Sequence, residues 1–120
     1  MSIGKGKISA LAVGRKKANQ DGTDGSTIRL LKLYEVSVNP ASLAANTGAE
    51  TDVTVTGVTT DDTVVSIEAQ AALNAGIAVT ARVKSADTVA FHFTNATAGA
   101  IDVAATNFKI LVARIADSDV

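Results

Sequence analysis

Ile77-Ala-Val-Thr-Ala-Arg-Val-Lys-Ser-Ala-Asp-Thr-Val-Ala-Phe-His-Phe93 decides the fold class of this chain. Ile77, Val79, Ala81 and Val83 fall on one side of an extended backbone and Thr80, Arg82 and Lys84 on the other, the two-residue repeat of a half-buried strand. Ser85-Ala86-Asp87 is small and polar enough to reverse the chain. The repeat then resumes, with Val89, Phe91 and Phe93 set against Thr88, Ala90, His92 and Thr94. The product is a hairpin with one apolar and one polar face.

The same pattern extends in both directions. Upstream, Val53 and Val55 alternate with Asp52, Thr54 and Thr56 in a strand expected over Glu50 to Thr56, ended by Gly57. Thr63 to Ala69 reads as a further strand with Val65 and Ile67 inward and Ser66 and Glu68 outward, after a turn at Thr59-Thr60-Asp61-Asp62. The alanine-rich run from Glu68 to Asn74, stopped by Gly76, also allows one helical turn.

Ile28 to Val38 and Phe108 to Ile115 complete six strands. Tyr34, Val36 and Val38 alternate cleanly, and Pro40 ends the first strand because it has no N–H for a ladder. Leu31 and Leu33, however, face away from that set, as Leu111, Ala113 and Ile115 face away from Phe108, Ile110 and Val112. Strands that are apolar on both sides require a bulge, a second covering layer or a partner. Leu31, Leu33, Leu111 and Ile115 are therefore candidate protein-contact residues. Short strands at about ten-residue spacing without long amphipathic helices predict an all-β domain, a small antiparallel β-sandwich or jelly-roll-like barrel.

Residues 1–26 read differently, as an extended basic N-terminal arm preceding a domain over residues 27–120. Glycines alternate in Gly4-Lys5-Gly6-Lys7, and Asn19-Gln-Asp-Gly-Thr-Asp-Gly-Ser26 is linker chemistry. Between them, Ile8 to Ala18 suits a short helix or a strand. The net charge of −1 hides an asymmetry. Residues 1–33 hold seven Lys and Arg against two Asp, or +5, and the remainder holds four against ten, or −6. Lys5, Lys7, Arg15, Lys16 and Lys17 are candidate contacts for an acidic surface, including that of another copy.

In 120 residues, 47% are apolar but only four are aromatic, so the core is light and association would widen its stability margin. The absence of cysteine excludes disulfide scaffolds and thiol chemistry. Ile8 to Val13 is too short for a signal core of roughly 7–15 residues, and Arg15-Lys16-Lys17 follows where a cleavage site belongs. No run approaches the roughly 20 apolar residues that cross a bilayer. The chain is expected to be soluble, made in the cytoplasm and away from membranes.

Chemistry-bearing residues are sparse. His92 is the only histidine and reads as an exposed strand residue without partners for base or metal duty. Asp21-Gly-Thr-Asp-Gly25 lacks the spacing and closing glutamate of a calcium loop. Asp61 and Asp62 are adjacent and read as exposed turn residues rather than a catalytic pair. Gly4-Lys5-Gly6-Lys7 is not a phosphate loop, and a basic segment without an aromatic favours protein docking over nucleic acid. Asn95-Ala96-Thr97 matches a glycosylation acceptor that carries no weight without secretion. These readings assign no catalytic, cofactor or metal residue and favour a non-enzyme.

Val38-Asn-Pro-Ala-Ser-Leu-Ala-Ala-Asn-Thr47, Val53-Thr-Val-Thr-Gly-Val-Thr59, Ala75-Gly-Ile77, Ala81-Arg-Val-Lys-Ser-Ala-Asp-Thr-Val-Ala90 and Asn95-Ala-Thr-Ala-Gly-Ala-Ile101 together resemble a family of small virion structural proteins of tailed bacteriophages. The resemblance implies a decoration or cement protein on the capsid exterior, trimeric, with the major capsid protein, other virion proteins and further copies of itself as partners. It extends also to a tail, collar or fibre component. A carbohydrate-binding or adhesin-like module shares the sandwich class but usually presents exposed aromatics, whereas Phe91, Phe93 and Phe108 are expected inward.

Overall fold

A computed structural model describes residues 27–115. They form six strands: β1 (Ile28–Val38), β2 (Thr47–Thr54), β3 (Asp62–Ala69), β4 (Ile77–Ser85), β5 (Thr88–Asn95) and β6 (Thr106–Ile115). Two three-stranded sheets result, ordered β1-β6-β3 and β2-β5-β4, with every pairing antiparallel. They pack face to face, β1 beside β2 and β3 beside β4. The domain is thus a sandwich; neither sheet closes on itself as a barrel would require.

The two central strands supply the core. Phe91 and Phe93 of β5 flank Phe108 of β6, with ring centroids 5.6 and 6.0 Å apart, and all three rings are fully buried. Ile110, Val112, Val89 and Val38 surround them. Three aromatics concentrated at the middle of the interface thus offset the small side chains elsewhere, since each buries far more apolar area than an alanine or valine.

Only the β4–β5 hairpin joins neighbours within a sheet; the other four connections cross between sheets. Three of these, residues 39–46, 70–76 and 96–105, gather at one end of the sandwich. The opposite end holds residues 55–61, the hairpin turn, and the ends of the described chain at Ile28 and Ile115.

Several local expectations are corrected. β2 runs from Thr47 to Thr54 instead of Glu50 to Thr56, and Val55 is buried in the following connection. The register of β3 against β6 shifts between Val64 and Ser66. That bulge brings Val64 inward with Ile67 and turns Val65 outward, reversing the strict alternation expected for Val65. Residues 70–76 contain no helical turn: β3 persists to Ala69 and an irregular link follows. Leucine and alanine do not override a segment that must pass from one sheet edge to the other within seven residues.

Candidate interaction face

The outer surface of the β1-β6-β3 sheet takes its character from register. Leu33 lies opposite Leu111, Leu31 opposite Ala113, and Ile28 opposite Ile115. A register shift between Ile28 and Leu30 lets Ile28 join this side. Val65 adds to it from β3, because the bulge turns that residue outward. Leu33, Val65, Ile115 and Ile28 are 64%, 54%, 44% and 43% exposed, the large hydrophobic side chains most open to solvent among the described residues. Leu31 and Leu111 are half-buried between them. Further along the same strands the face becomes charged, where Lys109 pairs across to Glu35 on one side and Glu68 on the other.

The four expected contact residues in the described chain, Leu31, Leu33, Leu111 and Ile115, therefore share one surface. Ile28 and Val65 belong with them and were not among the contact residues read from the sequence, because bulges change which side a residue faces and alternation alone does not place a bulge. Lys5, Lys7, Arg15, Lys16 and Lys17 lie outside the described residues, as do the arm assigned to residues 1–26 and the calcium-loop candidate at Asp21 to Gly25.

The outer surface of the β2-β5-β4 sheet is chemically opposite. Arg82 donates from Nε and Nη2 to Glu50 at 3.1 Å each, and Lys84 donates to Asp52 at 2.7 Å. Both pairs link β4 to β2 across β5, where a larger side chain at position 90 would obstruct them. Ala90 lies fully buried beneath. His92 stands exposed on the same surface, opposite Glu50 and Thr80, as expected. Gly48 provides its seat: a Cβ there would stand 2.8 Å from Nε2 of His92.

No family model, curated protein or solved structure matches the chain.

Two polar latches brace the ends of the sandwich, and the sequence reading missed both. Asp62, expected as an exposed turn residue, is buried and begins β3 opposite Arg114. Its carboxylate accepts bonds from Arg114 Nε at 2.6 Å, Arg114 Nη2 at 2.9 Å and the Thr59 amide at 2.9 Å. These donors, the Arg114 guanidinium foremost, hold the Asp62 carboxyl below the usual carboxylate range against the opposing effect of burial. Arg114 Nη2 also donates to the Gly57 carbonyl, and the Gly57 amide donates to Asp87 Oδ1 at 2.8 Å. Gly57 has φ of 103°, so the doubly held turn depends on glycine.

Asn95 is the other latch. Fully buried at the end of β5, its Nδ2 donates to the carbonyls of Leu43, Ala44 and Gly99 at 3.2, 3.1 and 2.9 Å. Its Oδ1 accepts from the amide and hydroxyl of Thr97. The glycosylation-like Asn95-Ala96-Thr97 is thus an internal clasp whose amide is inaccessible in the folded domain. Among the described residues, no three His, Cys, Asp or Glu side chains cluster as a metal site, and no helix is long and apolar enough to cross a membrane.

Proposed function

We propose that this chain is a non-enzymatic structural component of a tailed-phage particle, a decoration or cement protein that binds and stabilises the outer surface of the head as a homo-oligomer. The observation that carries this reading is the chemical opposition of the two outer faces. One carries two cross-strand ion pairs suited to water, and the other exposes Ile28, Leu33, Val65 and Ile115 around the half-buried Leu31 and Leu111. Scattered apolar residues need no explanation, but a contiguous group on a braced sheet suits burial in an assembly. The latches at Asp62 and Asn95 fix the connections at both ends, so the face is presented without ordering cost at the moment of contact. The virion-protein resemblance of Val38 to Thr47 and Ala81 to Ala90 supplies the class of assembly.

The test mixes purified undecorated particles with wild type and with two surface variants. Leu33→Asp, on the apolar face, should abolish co-sedimentation, whereas Thr80→Asp, on the opposite face, should leave it intact. Equal binding by both variants, or no binding by wild type, would reject the assignment.

A further inference from the structure

We propose that, in the free protein, residues 8–13 of the same chain dock on its apolar β1-β6-β3 face and occupy it until the particle displaces them. This rests on the reading of that face as the assembly surface. Size argues for a short segment. The apolar strip spans five residues along β6, from Leu111 to Ile115, and three strands across, about 13 by 10 Å. An interface with the particle, at roughly 800 Å² per side, would extend well beyond this strip, whereas a short segment fills the strip by itself. Six extended residues, about 20 Å long, are the right scale.

Chain path argues for this particular segment. The described chain starts beside the strip, with Ile28 itself one of the exposed residues. Residues 14–27 separate it from Val13, enough for about 45 Å if fully extended, so the segment reaches back over its own sheet. That linker includes Gly22 and Gly25, which favour reversal. A short tether also gives an effective concentration near the millimolar range, which favours the chain's own segment over a neighbour's in dilute solution.

Composition matches as well. Ile8, Leu11 and Val13 supply the apolar side chains, while Lys7 and Arg15 to Lys17 flank them. The charged end of the face holds Glu35 and Glu68 with Lys109 between them, a net negative charge that suits one of those basic flanks.

Because the chain has no cysteine, single thiols report occupancy in the full-length protein. Leu33→Cys and Thr80→Cys place them on the two outer faces, and maleimide labelling is followed at micromolar concentration with circular dichroism confirming each fold. The thiol at position 33 should react about tenfold more slowly than that at 80, as when docked and open forms stand at ten to one. Adding Leu11→Asp should abolish the difference. In Leu11→Cys/Leu33→Cys, oxidation should yield a disulfide within one chain, running as a monomer on a non-reducing gel. Equal labelling at 33 and 80 overturns the proposal. So does protection that survives Leu11→Asp and grows with concentration, or a disulfide that joins two chains. Leu11→Asp should retain particle binding, so failure here is distinct from failure of the assembly reading, which Leu33→Asp tests.

Discussion

Arg114 grips the carboxylate of Asp62 with two parallel bonds, Nε to Oδ1 at 2.6 Å and Nη2 to Oδ2 at 2.9 Å, across the β3–β6 pairing. Fork-to-fork geometry of this kind is the stronger form of ion pair. Here it joins the first residue of one strand to the penultimate residue of another and, through Gly57, to the turn between the sheets.

Acid should therefore loosen the domain. The folded carboxyl of Asp62 ionises below its unfolded value, so between those values the unfolded chain binds more protons and stability rises with pH. The contribution is complete above the unfolded carboxylate pKa of about 4 and is lost as pH falls through the lowered folded value. Asp62→Asn should lower the melting temperature by several degrees at pH 7 and flatten its dependence on pH below about 4, read by calorimetry. An unchanged acid limb would show that other carboxylates set it.

Asn95→Asp tests the other latch. The substitution replaces two amide hydrogens with a lone-pair oxygen facing the carbonyls of Leu43, Ala44 and Gly99. A cost of about 1–3 kcal/mol or more is expected in urea melts, because buried acceptors lose their donor. Hydrogen exchange should quicken first at Leu43 and Ile101, which bond to each other's backbone beside it.

Truncating the aromatic centre should cost more. Phe108→Ala leaves a void between Phe91 and Phe93, and a loss of about 3–5 kcal/mol is expected from chemical denaturation. Phe91→Ala and Phe108→Ala combined should fall short of their sum, because each removes the contact that the other makes.

Gly57→Ala should destabilise by about 1–3 kcal/mol, since a φ of 103° is poorly tolerated by any residue with a Cβ. The space itself is adequate, with Tyr34 Oη 3.4 Å from the added carbon, so the cost is conformational. A thermal melt indistinguishable from wild type would mean that the turn relaxes to negative φ.

Strand count and class were legible because one sheet face is polar over most of the chain, so side chains alternate visibly along β4 and β5. Leu31, Leu33, Leu111 and Ile115 were legible as contact candidates for the opposite reason, because apolar residues in both phases announce two faces to cover; that they share one surface follows from the β1–β6 register. Val65 and Ile28 were not, because each stands beside a bulge that depends on the partner strand. Asp62 and Asn95 were hidden by their chemistry. Aspartate and asparagine are the ordinary residues of turns, and what distinguishes these two is a set of partners 50 or so positions away, such as Arg114 and Leu43.

The gathering of three connections at one end of the sandwich, with Ile28 and Ile115 at the other, gives the domain two poles separated by about 30 Å of strand. A fluorescent tag inserted in the hairpin turn at residues 86–87 and an epitope inserted within residues 70–76 would therefore mark opposite poles of the domain. Their relative heights above a particle surface would reveal whether the domain stands upright on its support or lies flat against it.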